Sequence, residues 1–158
     1  MKSINLNKNR GFTLIELLVV MAILGLLATI GLVSFRTAQL KGRDARRKHD
    51  LEQIQKALEM HFNDKGRYPT LAEGIPAAGS IWEDTAVAGG AVYMRKRPKD
   101  PKEIDYCYNS NATGDWHELY AKLENENDPA IAESGCSAGC SCGTRSDYNY
   151  KINSANAP

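Results

Sequence analysis

The chain has 158 residues, enough for one modest domain, and a net charge of +1, so composition carries no electrostatic signal for nucleic acid. No P-loop, G-x-S-x-G or H-E-x-x-H pattern occurs. The three histidines are dispersed: His49 and His61 fall where a helix surface is expected and His117 stands apart. The chain therefore reads as something other than an enzyme, and more as the substrate of one.

The first eleven residues carry Lys2, Lys8 and Arg10 and no acid. Residues 12–35, FTLIELLVVMAILGLLATIGLVSF, then hold a single ionisable side chain, Glu16. About 20 apolar residues span a bilayer as a helix, so this run suffices. The basic leader should stay cytoplasmic by the positive-inside rule, which places the remainder outside. An ordinary secretory signal has an apolar stretch of about 7–15 residues and a small-residue cleavage site after it. Here the run is longer and leads straight into RTAQLKGRD. A simple anchor would not account for Glu16 at the fifth residue of the run. A carboxylate in hydrocarbon costs up to roughly 2.5–3.5 kcal/mol and is by default a functional group with a partner. A cut between Gly11 and Phe12 would create that partner. The new α-amino group at Phe12, with a reference pKa of about 7.7–8.0, would be largely cationic and could offset Glu16 of a neighbouring subunit.

RGFTLIELLVVMAILGLLA closely resembles the class III signal of type IV pilins and type II secretion pseudopilins, through Gly11, Phe12, Thr13, Leu14, Glu16 and the apolar run. The resemblance implies that a prepilin peptidase cuts after Gly11, that Phe12 becomes N-methylated and that Glu16 is the assembly carboxylate. It implies as partners copies of the chain and related pilins in a filament, the peptidase, an assembly-platform membrane protein and membrane lipid, with no nucleic acid required for assembly. The implied location is single-pass in the inner or cytoplasmic membrane before assembly, N-terminus cytoplasmic and C-terminal domain extracytoplasmic, then a filament at the cell envelope or surface.

Residues 36–64 extend the helix. Arg36, Lys41, Arg43, Arg46, Arg47 and Lys48 form a basic patch that could meet anionic head groups or acidic faces of neighbouring subunits. Leu51, Ile54, Leu58 and Phe62 then recur at steps of 3 and 4, one face of an amphipathic helix that should bury in its own domain. Gly25, Gly31 and Gly42 weaken the helix and suit either close helix packing or local unwinding. The family often has a proline where this chain has Val33, which argues against a strong kink there. Gly66 fits a helix C-cap and Pro69 stops a restart.

Residues 65–124 form the predicted globular head. KGRYPT resembles the helix exit of G-type (major) pseudopilins, with Tyr68 packing back on the helix. Residues 71–92 read as a loop with a short helix near Ile81 to Thr85. Two strand-like runs, Ile104–Tyr108 and Trp116–Leu123, flank SNATGD and predict a β-hairpin with Asn109, Gly114 and Asp115 as turn formers. Leu119, Ala121 and Leu123 alternate with Tyr120, Lys122 and Glu124, the pattern of a half-buried strand. The fold class is α+β: a pilin fold, with the long helix packed on a small antiparallel sheet.

The resemblance stops near residue 124, and residues 125–158 form a Cys-rich tail. Cys107, Cys136, Cys140 and Cys142 are disulfide candidates, since an extracytoplasmic location favours bridges over a zinc site that lacks paired C-x2-C units. Cys107, on the first hairpin strand, is the candidate long-range partner for one tail cysteine. The resemblance to G-type pseudopilins also implies a C-terminal calcium loop, for which Asn125, Asn127 and Asp128 are the oxygen donors here. Three functions follow: a structural subunit of a type II secretion-like pseudopilus, a major or minor pilin of a type IV pilus for adhesion, motility or DNA uptake, or a membrane-anchored thiol- or metal-binding protein that never polymerises.

Overall fold

The structure, a computed structural model, describes residues 11–157. The leader residues 1–10 lie outside them. The chain divides into two compact units after Gln39.

Helix α1 runs from Leu14 to Lys65 and passes through both units without a break at Gly25 or Gly31. In the first unit every residue from Gly11 to Gln39 is exposed. The hydroxyls of this stretch are satisfied locally: Thr29 Oγ1 donates to the Leu26 carbonyl at 2.7 Å and Ser34 Oγ to that of Ile30 at 3.3 Å. A helix apolar all round, with its polar groups satisfied internally, suits lipid or a bundle of like helices.

The second unit begins with the amphipathic half of α1. Leu51, Ile54 and Leu58 are fully buried, as their spacing requires, and Phe62 is partly buried beside them. Gly66 has φ +72 and donates its amide to the Phe62 carbonyl at 2.7 Å, the expected left-handed cap. Tyr68 folds back: its ring lies 4.7 Å from that of Phe62, and its hydroxyl donates to Glu59 at 2.9 Å.

The expected short helix near Ile81 is instead strand β1 (Trp82–Glu83), paired antiparallel with β2 (Val92–Met94). Trp82 and Tyr93, buried on this ribbon, meet at 5.8 Å, and His61 packs on Tyr93 at 5.1 Å. His61 is thus part of an aromatic cluster and not a plain surface residue. It holds the chain exit through Nδ1 and the Arg67 carbonyl, 2.9 Å apart.

The predicted hairpin is present as β3 (Cys107–Ser110) and β4 (His117–Ala121), later and shorter than the apolar runs suggest. Asn109 lies within β3. The turn is held by Asn111, whose Oδ1 accepts the Asp115 amide at 2.8 Å and whose amide donates to Asp115 at 2.9 Å. The tail is not a mere appendage. It forms α2 (Pro129–Glu133), the hairpin β5 (Cys140–Cys142) and β6 (Arg145–Tyr148), and β7 (Tyr150–Asn153). Strand β7 adds to the far edge of β4, giving the order β3-β4-β7. This overturns the half-buried reading of β4, all five of whose residues are buried. Leu119 and Ala121 face the helix core with Tyr106 and Tyr108. Tyr120 faces the other way into a second cluster with Cys136, Cys142 and Tyr148. The alternation was real, but the tail covers the face it marked as wet.

Candidate functional site

The head of α1 is a capping box. Thr13 precedes the first helical residue, and the Glu16 carboxylate accepts both the Thr13 amide at 2.8 Å and its hydroxyl at 2.7 Å. The Glu16 amide reaches back to Thr13 Oγ1 at 3.3 Å. The one acid of the apolar run therefore sits over the positive end of the helix dipole and satisfies an amide that the helix leaves free. Gly11 and Phe12 precede the helix, and Phe12 is 83% exposed. The bond between them lies in non-helical chain.

The basic patch divides. Arg36, in the first unit, is exposed, as are Lys41 and Arg46 in the second, but Arg43, Arg47 and Lys48 turn inward against acids of the second unit itself, so that half of the patch does not serve the head groups or neighbouring subunits expected of it. Arg47 is fully buried among three carboxylates. It donates to Asp100 at 2.6 Å, to Asp44 at 2.8 Å and to Glu124 at 2.8 Å. Burial opposes its charge, but these hydrogen bonds outweigh that effect and raise its pKa. Arg43 forks Nε and Nη2 onto the two Glu124 oxygens at 2.7 Å, and these bonds hold the Glu124 carboxyl far below the usual range. Asp44 also accepts the amides of Glu124 and Asn125 at 2.9 and 2.8 Å. The network thus ties α1 to the exit of β4.

Of the calcium candidates, Asp128 has both carboxylate oxygens on the Lys48 ammonium, at 2.7 and 2.8 Å, and caps α2 by accepting the Ala130 amide at 3.0 Å. Asn125 Oδ1 accepts the Asn127 amide at 3.3 Å. The three residues are brought together, but the acid among them already carries a cation and a cap.

All four cysteines are bridged, Cys107 to Cys142 and Cys136 to Cys140. The first is the long-range staple expected of Cys107. With a sequence separation of 35 it constrains the unfolded chain by about 4 kcal/mol on the loop-entropy account. His117 is fully buried, faces the Tyr68 ring at 4.4 Å and has no hydrogen-bond partner on either ring nitrogen. Burial pushes its pKa down to about 4. It serves packing, and no signal in the sequence marked it.

Comparison with known proteins decides the family. A model described as the prokaryotic N-terminal methylation motif matches residues 6–32, and one described as type II secretion system protein G matches residues 36–129. The chain belongs to the type II secretion system protein G family. Among its relatives, the type II secretion system core protein G of Klebsiella pneumoniae is 35% identical over 106 residues, which cover 64% of this chain and 74% of that one. The core protein G of Vibrio cholerae serotype O1 is 32% identical over 109 residues, 66% of this chain and 73% of that one. The type IV major pilin PilA of Myxococcus xanthus is 40% identical over 68 residues, 43% of this chain but 31% of the pilin. No solved structure matches. The family is one of structural pseudopilins and not of enzymes, and its model ends at residue 129, before the first tail cysteine.

Proposed function

We propose that the chain is a structural subunit of a type II secretion-like pseudopilus, processed by prepilin peptidase after Gly11, N-methylated at Phe12 and polymerised through the apolar half of α1. The observation that carries this is the lone carboxylate of Glu16 at the head of a wholly apolar, uncovered helix. Among the described residues its charge is answered by one amide and one hydroxyl, both of Thr13. The cationic amine of a processed Phe12 on a neighbouring subunit is the better partner, so cleavage and assembly are linked through one acid.

Before assembly the subunit is held by residues 12–35 in the cytoplasmic membrane, with its leader in the cytoplasm and its bridged head outside. Oxidised cysteines suit that side. Its partners are copies of itself, related pilins, the peptidase, an assembly-platform membrane protein and lipid, the last met by the exposed Arg36 and Lys41. The likeness to the Myxococcus pilin supports a second reading, a type IV pilus subunit. Neighbouring genes separate the two: a secretin with cargo-release partners belongs to secretion, a retraction ATPase to a pilus.

N-terminal mass spectrometry of the membrane-derived protein tests the class. A chain that begins at N-methylated Phe12 is expected, and an intact Met1 overturns it. Glu16→Ala should leave processed protein in the membrane with few filaments. Normal filaments from that variant would refute the role of the carboxylate.

A further inference from the structure

The tail that closes the sheet has little apolar matter of its own. Between residues 125 and 157 the buried apolar residues are Ile131, Tyr148 and two half-cystines, Cys136 and Cys142. The second cluster consists of Tyr120, Tyr148, Cys136 and Cys142, with Ile104, Cys107 and Cys140 packed against it, so most of it is disulfide. Ordering some thirty residues costs far more than two such side chains return. Strand β7 is reached only through this segment, and it pairs with β4 alone. The other edge of β4 holds β3, where Cys107 anchors β5 through Cys142. The staple thus brackets β4 from the side opposite β7. By contrast the helix core draws its buried residues from α1, β1 to β4 and the segments between them, and takes only the partly buried Tyr150 and Ile152 from the tail.

Access supplies a second constraint. Cys136 is 0% exposed and Cys142 6%, and their partners Cys140 and Cys107 are partly covered, so the closed tail leaves an oxidant only one restricted sulfur of each pair. Oxidation before closure meets no such restriction. We propose that the chain is a substrate of thiol oxidation at an open-tail stage, and that the Cys107–Cys142 bridge is what allows β7 to dock and the subunit to become assembly-competent. The partner is a disulfide-bearing oxidant. The thiolate of one cysteine attacks the oxidant's disulfide, forms a mixed disulfide and releases one oxidant thiol. The second cysteine attacks that bond and displaces the other thiol, so two electrons and two protons leave the chain for each bridge. The Cys136–Cys140 bridge closes a separation of only 4 residues and fixes the local turn. With Cys140 so engaged, Cys142 is left to meet Cys107.

The assembly clause rests on the pseudopilus reading, while the docking clause does not, and the tests keep them apart. In full-length protein in detergent, hydrogen exchange at the Tyr150–Asn153 amides is compared for wild type, wild type refolded and kept in reductant, Cys107→Ser/Cys142→Ser, and Cys136→Ser/Cys140→Ser. Loss of the long bridge, by reduction or substitution, should speed β7 exchange on the order of a hundredfold or more, with Leu51–Leu58 and β3–β4 still protected. The Cys136→Ser/Cys140→Ser chain should keep β7 protected. Equal protection of β7 without the long bridge overturns the proposal, and so does global loss of protection, because the helix core is held to stand alone. In cells, alkylation of pulse-labelled chain should find the four-thiol form in the membrane and none in filaments. Filaments with free-thiol subunits overturn the assembly clause. If the chain builds no filament at all, the pseudopilus reading fails while the exchange result still decides docking.

Discussion

Arg47 and Asp100 meet at 2.6 Å with both side chains shut off from water, one from the middle of α1 and the other from the loop before β3. Asp44 and Glu124 complete the shell around the same guanidinium. Replacing Arg47 by Ala would leave Asp44 and Asp100 buried without their cation, and Glu124 with Arg43 and Lys102 only. We expect a loss of about 3–5 kcal/mol in denaturant unfolding of the head, the range for breaking a buried pair from one side. Arg47→Lys should recover little, because an ammonium is a single nitrogen with three donors and cannot reproduce the four bonds that the planar guanidinium spreads over three nitrogens. A loss below about 1 kcal/mol for Arg47→Ala would mean that the network is not holding α1 to the exit of β4.

The stability of the head should fall in two stages as the medium is acidified. His117 has a folded pKa of about 4 against an ordinary 6.5, so below pH 6.5 the unfolded chain binds a proton that the folded one refuses. That contribution is whole above pH 6.5 and is lost by about pH 4, a fall of roughly 3 kcal/mol. The lowered carboxylates Glu124 and Asp128 act only further down, once the unfolded chain begins to take protons near pH 4. His117→Leu should remove the upper stage and leave the lower. It should also match or exceed wild-type stability at pH 7, since it replaces a buried ring with unpartnered nitrogens. A slope between pH 6.5 and 4.5 that survives in His117→Leu would assign the effect to another group.

How far the sequence foretold this arrangement depends on how far apart the partners lie. Leu51, Ile54 and Leu58 announced themselves because helix periodicity is local, and so did the Gly66 cap, whereas the capping box of Thr13 and Glu16 emerged only in the structure. Arg47 reads with its basic neighbours as a patch facing head groups or other subunits, because two of its three carboxylates lie 53 and 77 residues away and the near one, Asp44, does not by itself mark it as buried. The strand at Trp82 escaped for a similar reason, since its partner is Val92–Met94 beyond a Gly- and Ala-rich turn. For β4 the alternation was visible, but its second face is covered by residues that arrive only with the tail. The cysteines showed that the tail is tied down, and Cys107 as the long-range partner, but not that β7 completes the sheet.

The Lys48 ammonium on Asp128 makes a prediction about divalent ions. A calcium ion at Asn125, Asn127 and Asp128 would have to displace it and give up the α2 cap. Chelation should therefore leave the melting temperature of the head unchanged. Lys48→Ala should lower stability by about 0.5–1 kcal/mol, as for a partly exposed pair. A calcium-dependent rise in the wild-type melting temperature would count against this reading and restore the calcium loop implied by the family resemblance.

Gly114 joins the helix exit to the hairpin and should be the least replaceable glycine of the head. It has φ +73, and a Cβ there would stand 2.2 Å from the Tyr68 carbonyl oxygen, which is backbone and cannot turn aside. Its own carbonyl accepts the Tyr68 amide at 2.8 Å, so the two segments are fixed against each other. Gly66 offers the control: its φ is +72, but a Cβ there meets nothing within 4 Å. Gly66→Ala should cost about 1 kcal/mol for the left-handed backbone alone. Gly114→Ala carries the same backbone cost and must also push Tyr68 away, so at least about 2 kcal/mol more is expected. The added loss should fall on the Tyr68 contacts with Phe62 and His117, visible as altered aromatic signals in near-UV circular dichroism. Equal costs at the two glycines would show that the turn can move off Tyr68, and that the Tyr-Pro exit is not what seats the hairpin on the helix.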